Sequence, residues 1–397
     1  MGENLFISNK KKLIVSEFVS YGHPDKIADQ IADSILDNFL SKDVNTRAGI
    51  EVMVKDNIVV LGGEINSNAT IDFDKAVKIV FSTLNFPSNH HLNPDNIKII
   101  NLIGKQSQEI HDGVDATEET AAGDQGFMVG YASNETDTYM PLGHYLAKKI
   151  CNYVCKHELL GPDAKTQVIV EYDDSNMAVN IHSILVSTMH QCSLEDTRLL
   201  ITEAIETNKV EIDESIYKKF IENKKIKIDV NPCGSWKIGG PISDCGVTGR
   251  KLVVDSYGGY CNIGGGAFSG KDLSKVDRSG AYMARYLAKN IVASGFCDRC
   301  RVTLSYMIGV AEPCSIDIDV NRNIEKVSEL KKWICDNVKL TPKSFIEHFS
   351  CKSCHQFLGT AKLGHFGFDV ENSFMLKELF PWEKLDLSKK IKQSCLF

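Results

Sequence analysis

The sequence lacks two features that would point away from an ordinary globular protein: long apolar runs and an excess of charge of one sign. No apolar stretch among its 397 residues approaches the ~20 that a membrane-spanning helix needs. Its 45 basic and 52 acidic side chains give a net charge of −7 and are intermixed, without a basic stripe or tail. We therefore expect neither a membrane nor a nucleic acid among its partners.

The amino terminus and the cysteines also lack the marks of an exported protein. The stretch MGENLFISNKKK contains no apolar run of the kind that a secretory signal has. The 13 cysteines are an odd number and are scattered along the chain, which is typical of reduced thiols rather than of a disulfide framework. Both observations predict a cytoplasmic location.

Two C-x-x-C pairs raise the alternative of a structural zinc site. The candidate ligands are Cys297, Cys300, Cys351, Cys354, His348 and His355. The gap between the two pairs is far longer than in a compact zinc ribbon, and Cys300 begins a strongly β-like stretch. The sequence therefore favours ordinary thiols over a zinc-stabilised module.

One order of elements recurs three times along the chain. A helical apolar period, as in HPDKIADQIADSILDNFL, precedes two β-like runs separated by a turn, and a second helical segment follows. The order returns at PLGHYLAKKICNYVCKHEL and at RSGAYMARYLAKNIVAS. This pattern predicts an α+β protein of three structurally similar subdomains with pseudo-threefold symmetry, each a mostly antiparallel sheet with helices on one face. We place the subdomains at residues 12–115, 120–242 and 243–385.

A glycine-rich stretch, GGGAFSGKDLSKVDRS at residues 264–279, raises the question of a phosphate-binding loop. Gly265, Gly270 and Lys271 have the spacing of a Walker A loop, but Asp272 stands where that loop has a magnesium-binding Ser or Thr. A Walker loop also follows a strand directly, whereas the nearest candidate strand, KLVVDSY, ends several residues earlier. We therefore predict a glycine loop that contacts phosphate in another way.

Polar residues cluster in loops at the ends of apolar segments, where binding sites commonly lie. The cations among them are Lys165, Arg250, Lys251, Lys271 and Lys275. Asp25 and Asp277 add hard oxygen ligands, and His23 adds a neutral donor. Taken singly, each has an ordinary alternative as a turn residue, a solvated charge or a neighbour of a helix cap. Together they suit a magnesium polyphosphate, because several cations near two acids match its charge.

Four long segments carry a resemblance to a known family. GHPDKIADQIADSILD, GDQGFMVGYASNETD, GGPISDCGVTGRK and GGGAFSGKDLSKVDRS resemble the signature segments of S-adenosylmethionine synthetase, also called methionine adenosyltransferase. The similarity extends from about Val15 to Trp382. It implies an enzyme in which the sulfur of L-methionine attacks C5′ of ATP and expels triphosphate, which is then hydrolysed to phosphate and diphosphate. The fold of that family, three similar α+β subdomains, agrees with the repeat.

The resemblance implies a role for each matching residue. Catalysis would involve His23, Lys165, Arg250 and Lys271. ATP would contact His23, Asp163, Lys165, Ser235, Trp236, Asp244, Arg250, Lys251, Ala267 and Lys271. Methionine would be held by Glu64, Gln106, Asp244 and Lys275. Two magnesium ions per site would use Asp25 and Asp277, potassium would use Glu51, and residues 104–115 would form a mobile loop that gates entry.

The chain departs from the family's pattern at a few positions near the implied site. Trp236 stands where many relatives have Phe, Ser235 replaces a basic residue, and Tyr21 replaces Glu. These changes concern affinity rather than reaction type. A regulatory protein that binds methionine or nucleotide without turnover is the alternative, but such a protein would be expected to have lost His23, Asp25 or Lys271, and all three are present.

In the three predicted hairpins, apolar residues occur at both odd and even positions of the strands, and so on both faces of each sheet. Examples are NIVVLGG, NIHSILVSTM and TLSYMIGV. Both faces of each sheet therefore need cover, and helices can cover one of them. A second copy of the chain would cover the other most simply. We predict a homodimer or a dimer of dimers with active sites at the subunit interface, as the resemblance also implies.

Overall fold

The computed structural model describes residues 12–87, 90–105, 121–349 and 357–394. The strands are β1 (Lys12–Val19), β2 (Arg47–Lys55), β3 (Ile58–Asn66), β4 (Lys98–Asn101), β5 (Gly126–Ser133), β6 (Leu160–Tyr172), β7 (Ala178–His190), β8 (Lys227–Val230), β9 (Gly246–Val247), β10 (Arg299–Tyr306) and β11 (Ser315–Val320). The α-helices are α1 (Pro24–Leu40), α2 (Phe73–Ser82), α3 (Leu142–Lys156), α4 (Leu194–Glu206), α5 (Glu214–Phe220), α6 (Leu252–Asp255), α7 (Val276–Ala293), α8 (Val327–Asn337), α9 (Pro342–Phe349), α10 (Phe357–Leu363), α11 (Phe374–Leu379) and α12 (Ser388–Gln393).

The predicted repeat of helix, hairpin and helix is confirmed in all three places. Helices α1, α3 and α7 precede the hairpins β2–β3, β6–β7 and β10–β11, and helices α2, α4 and α8 follow them. The strands form three sheets in the orders β4-β3-β2-β9, β1-β6-β7-β8 and β11-β10-β5. Neighbouring strands are antiparallel except for the pairs β3–β4 and β7–β8. The predicted α+β class with antiparallel-rich sheets is therefore confirmed.

Each sheet includes a strand from another part of the chain. β1 precedes the first repeat but pairs with β6 of the second, and β5 precedes the second repeat but pairs with β10 of the third. β9 comes from the third part of the sequence and pairs with β2 of the first. These exchanges join the repeats by backbone hydrogen bonds. The subdomain boundaries at 115/120 and 242/243 remain a prediction from the sequence.

Local sequence signals explain the start of α1 and the turn after β2, but the apolar run at residues 251–257 led to a wrong prediction. Pro24 occupies the first turn of α1, where its missing N–H is not needed. Asp56 has a φ of 53° in the tight turn between β2 and β3. The prediction of a strand at KLVVDSY is wrong, because residues 252–255 form the short helix α6. An apolar run this short has no periodicity that could separate the two structures.

The long helices are buried because each packs on a sheet and also against loops. α1 packs on β2, α3 on β1 and β6, and α7 on β5 and β10. The approach of β5 to α7 requires glycine, since a Cβ placed on Gly130 would lie 1.9 Å from the carbonyl carbon of Ala284. Within the described ranges, no helix combines the length and the apolar character that crossing a membrane requires.

Candidate active site

The amino terminus of α1 contributes a neutral donor to the site. His23 is the N-cap residue, and its Nδ1 accepts a hydrogen bond from the Asp25 N–H at 3.1 Å. Nδ1 therefore carries no hydrogen, and the uncharged ring carries it on Nε2. Burial, and then the ammonium groups of Lys251 and Lys165, lower the pKa of His23 from 6.5 to about 3. His23 thus caps the helix and also presents a fixed N–H donor.

Asp25, in the first turn of α1, holds the loop at residues 246–251. Its Oδ1 accepts from the Val247 N–H at 2.9 Å, and its Oδ2 accepts from Lys251 Nζ at 2.5 Å. The Arg250 guanidinium lies 3.8 Å from the same carboxylate. Burial opposes ionisation, but the hydrogen bonds from Lys251 and Val247 outweigh it and lower the pKa of Asp25. One carboxylate therefore brings two cations next to His23.

The glycine-rich loop runs along β2 and ends at Lys271. The Ile50 N–H donates to the Gly270 carbonyl oxygen at 3.0 Å, and Gly49 forms a bridge with Lys271. Gly270 has a φ of 82°, and a Cβ placed on it would lie 2.1 Å from the Ile50 carbonyl oxygen. Glycine is therefore required twice over, by the backbone angle and by the close approach.

Asp272, whose charge conflicts with a Walker loop, is directed into the protein. Its Oδ2 accepts from the Ala48 N–H and its Oδ1 from the Ser274 N–H, both at 2.9 Å. Its side chain is buried, so it does not repel a bound phosphate at the surface of the loop. No strand runs into the glycines, and α7 begins only at Val276. The Walker interpretation is wrong for this loop, as the sequence predicted.

Acidic residues of three elements surround Lys271. Its Nζ lies 2.5 Å from an oxygen of Asp277 in the first turn of α7. Burial raises the pKa of Glu51 on β2, and the positive charge of Lys271 opposes that rise. Glu64 of β3 stands opposite Gly49, the residue that bridges to Lys271. The structure therefore places Asp277 and Glu51 near Lys271, and Glu64 on the neighbouring strand.

β6 contributes a buried carboxyl group and an exposed cation. Oδ2 of Asp163 accepts from the Gly240 N–H at 2.6 Å, while Oδ1 is buried and has no hydrogen-bond partner in the part of the chain that the structure describes. Burial raises the pKa of Asp163 to about 7. Lys165 lies close enough to act electrostatically on both Asp163 and His23. Asp163 therefore has a free oxygen for a ligand, in either protonation state.

The segment with Ser235 and Trp236 is held by a histidine that the sequence analysis did not single out. Nε2 of His190, at the end of β7, accepts from the Trp236 N–H and lies 3.2 Å from Ser235 Oγ. Its other nitrogen, Nδ1, lies 2.9 Å from the Cys192 carbonyl oxygen and 3.1 Å from Lys237 Nζ. A lone histidine at a strand end gives no signal in sequence that could have identified this role.

The remaining predicted residues lie on the same loops, apart from one outside the described residues. Asp244 is exposed and acts electrostatically on His23 and Asp163. Lys275 is the N-cap residue of α7, and its side chain makes no capping bond. Ala267, in the glycine loop, lies against the 246–251 loop, since a Cβ placed on Gly249 would lie 2.6 Å from Ala267 Cβ. Gln106 and residues 107–115 of the predicted gating loop lie outside the described residues.

The carboxylates fit a magnesium site that takes part of its ligands from phosphate. Asp25 and Asp277 each lie 2.5 Å from a lysine ammonium, so both present carboxylate oxygens at the edge of the site. Among the described residues, no group of three or more His, Cys, Asp or Glu side chains could hold a metal ion alone. Cys297 and Cys300 are buried, and Cys351, Cys354 and His355 lie outside the described residues, so the structure lends no support to zinc.

The chain matches family models along nearly its whole length. Residues 11–108, 119–236 and 238–384 match the models of the S-adenosylmethionine synthetase N-terminal, central and C-terminal domains. A solved structure, an unusual S-adenosylmethionine synthetase from Campylobacter jejuni, is 37% identical with a TM-score of 0.84. The match covers 96% of this chain and 99% of that one. Sequence and structure comparison thus point to the same family as the four signature segments.

Proposed function

Because the chain belongs to the S-adenosylmethionine synthetase family and forms S-adenosylmethionine from ATP and L-methionine, we propose that triphosphate is displaced at the site around His23, the 246–251 loop and the glycine loop. One observation carries this assignment: two lysines from separate loops, Lys251 and Lys271, each pair with a carboxylate at 2.5 Å. Cations and hard oxygen ligands alternate there, as a magnesium triphosphate requires.

The displacement itself needs alignment and charge stabilisation rather than a base. The methionine sulfur has a free electron pair and no proton to lose, so it attacks C5′ directly while the bond from C5′ to the triphosphate oxygen breaks. We assign the Nε2–H of His23 to that leaving oxygen. An uncharged donor with a fixed tautomer stabilises the growing negative charge there without transferring its proton.

The cations have distinct parts in this scheme. Lys165, Lys251 and Lys271 bind phosphate oxygens and stabilise the triphosphate as it leaves. Arg250 is 58% exposed and 3.8 Å from Asp25, so its guanidinium is held only loosely. We assign Arg250 to the later hydrolysis, in which the triphosphate must be cleaved after its bond to C5′ is broken.

The site is proposed to work with magnesium and potassium. Asp25 and Asp277 would hold two magnesium ions, which neutralise triphosphate oxygens when bound. The lysines that pair with these carboxylates would then be free to bind phosphate. Glu51, at the surface of β2 near Lys271, is the proposed potassium ligand.

The nucleoside of ATP and the amino acid part of methionine are assigned to further residues of the site. The free Oδ1 of Asp163 would form a hydrogen bond with the nucleoside, as acceptor when ionised or as donor when protonated. Trp236 would stack on adenine. The further ATP contacts are Ser235, Asp244 and Ala267. Methionine, a zwitterion, would be held by groups of both charges. These groups are Glu64, Gln106, Asp244 and Lys275.

A second copy of the chain is proposed to cover the outer sheet faces. Met53, Val60 and Ile100 are neighbours across β2, β3 and β4, and Met53 and Ile100 are 42% and 48% exposed. Phe127 on β5 is 52% exposed. Apolar rows of this kind on a sheet surface are typical of a subunit interface. Glu51 lies on the same face as Met53, so such a dimer would place site residues at its seam.

The proposed function is tested by the products that the purified enzyme forms. With ATP, L-methionine, magnesium and potassium, we expect S-adenosylmethionine, phosphate and diphosphate in equal amounts. We expect a chelator to abolish product formation and added magnesium to restore it. Chromatography of the nucleotide products decides the mechanism, because ADP or AMP would rule out displacement of the whole triphosphate. Binding of both substrates without any product would instead favour the regulatory alternative.

The protonation state of His23 gives a second prediction. With a pKa near 3 in the free enzyme, the imidazole should keep the neutral Nε2–H form from pH 8 down to pH 5. The unfolded imidazole titrates near 6.5, so protons bind the unfolded chain preferentially between about 6.5 and 3, and His23 makes the enzyme less stable as the pH falls through that range.

The measurement is a pH series of ¹⁵N spectra of histidine-labelled enzyme without substrates, with His23→Asn to assign the signal. The same protein unfolded in urea supplies the reference, in which histidines titrate near their ordinary value. A His23 signal that titrates near pH 6.5 in the folded enzyme would disprove the neutral-donor assignment.

A further inference from the structure

Four aspartates lie along one side of α1, at intervals of four residues. They are Asp25, Asp29, Asp33 and Asp37, and we call them the acidic row of α1. Residues four apart share one face of a helix, and here that face is buried, with exposures of 2%, 0%, 0% and 4%. Burying four carboxylates is unfavourable unless each is hydrogen-bonded, so their partners explain why they are tolerated.

The row binds backbone N–H groups of distant segments. Gly249 N–H donates to Asp29 Oδ1 at 2.9 Å, next to the Val247–Asp25 bond. Gly270 N–H donates to Asp33 Oδ1 at 2.8 Å. The first three members therefore hold the 246–251 loop and the glycine loop, both of which carry the phosphate-binding cations. Asp37 instead accepts from two N–H groups at the start of α10, away from those loops.

Asp33 also forms a fully buried ion pair with Arg278 of α7. Both guanidinium NH₂ groups reach it, at 2.7 and 2.9 Å, and neither side chain is exposed to solvent. The fork of Arg278 extends further, since Nη1 also donates to the Lys271 carbonyl oxygen at 3.0 Å. Asp33 thus holds the N–H of Gly270, the residue before Lys271, and Arg278 holds the carbonyl oxygen of Lys271 itself.

We propose that Asp33 and Arg278 are positioning residues for the transferase reaction: they fix the backbone on both sides of Lys271 so that its ammonium group meets the triphosphate as it leaves. The proposal rests on the proposed role of Lys271. Neither Asp33 nor Arg278 is exposed, so neither touches a substrate. Their effect reaches the reaction only through Lys271, and a small displacement of a catalytic group slows a reaction strongly.

The geometry explains why a lysine cannot replace this arginine. The planar guanidinium meets both oxygens of Asp33, the Lys271 carbonyl and Thr360 Oγ1 at 3.0 Å. A lysine ammonium is a single point donor and cannot reach all four at once. Arg278→Lys therefore keeps the buried charge pair but releases part of the backbone anchor.

The test compares kcat and KM for Arg278→Lys and Asp33→Asn with the wild-type enzyme. We expect kcat to fall by about 10- to 100-fold, while the methionine KM changes by less than about twofold. Glu135→Gln is the control, because that carboxylate accepts from the Leu142 N–H at the start of α3 and from the Tyr172 hydroxyl rather than from either site loop. It should leave kcat unchanged even if it lowers Tm.

A double-mutant cycle separates positioning from general damage. If Arg278 acts through Lys271, Arg278→Lys should cost nothing more once Lys271→Ala is present, and kcat of the double variant should match Lys271→Ala within about twofold. Independent damage to the fold would multiply the two losses. Tyr282→Phe, which removes the 3.1 Å partner of Arg278 Nε but keeps the ring, should lower kcat several-fold and serves if the other variants do not fold.

The outcomes distinguish the positioning role of Asp33 and Arg278 from the proposed role of Lys271, on which it rests. A normal kcat for Lys271→Ala would overturn the proposed role of Lys271 itself. A slow Lys271→Ala together with normal kcat in folded Asp33 and Arg278 variants would overturn only the positioning role. Losses of kcat that multiply in the double variant, or an equal loss of kcat in Glu135→Gln, would also overturn the positioning role.

Discussion

Replacing Lys271 by Ala, or Arg250 by Leu, is expected to lower kcat by on the order of 10² or more, with a much smaller effect on the methionine KM. Both cations are proposed to stabilise charge on triphosphate oxygens, and that charge grows as bonds break in the transition state. Lys271 stands 2.5 Å from Asp277, and Arg250 stands 3.8 Å from Asp25. Each cation therefore adjoins a carboxylate that is proposed to hold magnesium.

Steady-state kinetics with each substrate varied in turn provides the measurement. Lys218→Ala is the matched control, because that lysine pairs with Glu214 on the surface of α5, with 61% of its side chain exposed. Surface pairs of this kind contribute little, so the control should retain wild-type kcat and Tm. Arg250 is also largely exposed, so its loss should affect the reaction rather than folding. A normal kcat in both Lys271→Ala and Arg250→Leu would contradict the site assignment.

Mixing two inactive variants is expected to restore roughly a quarter of wild-type activity when the two residues reach a site from different chains. Random pairing of equal amounts gives half mixed dimers. Each mixed dimer then has one site with both defects and one site with neither. The expected rise in activity is large because each variant alone is nearly inactive, whereas every intact site in a mixed dimer should work at the wild-type rate.

The variants are unfolded together and refolded, with wild-type enzyme treated alongside. Informative pairs combine a substitution of His23 or Lys165, which interact within one chain, with a substitution of Glu64, Gln106 or Lys271. His23→Ala with Lys251→Ala is the matched control: these side chains interact within one chain, so every site in a mixed dimer keeps one defect. If no pair recovers while wild-type does, or if the active enzyme sediments as a monomer, sites are not shared between chains.

Local sequence pattern was sufficient for the elements whose burial follows a simple period. The helix at Pro24–Leu40 and the three hairpins follow from where apolar residues recur, because one face or both faces of each must be buried. The same reasoning failed at residues 252–255, where a short apolar run forms a helix. Residues near the implied site were found only as motifs, and their assignment to substrates remains a prediction.

The sequence by itself determined the family, the α+β repeat and the inventory of cations, carboxylates and glycines, because these depend on residue type and spacing along the chain. Tertiary structure alone decided which segments meet. Asp272 turns to the Ala48 N–H rather than to phosphate, and Asp33 meets Arg278, 245 residues away. The four-residue spacing of the acidic row is visible in the sequence, but on a helix it equally suits a solvated face. Only the partners brought by folding made that face a buried support for the catalytic loops, since a long-range hydrogen bond leaves no local periodicity.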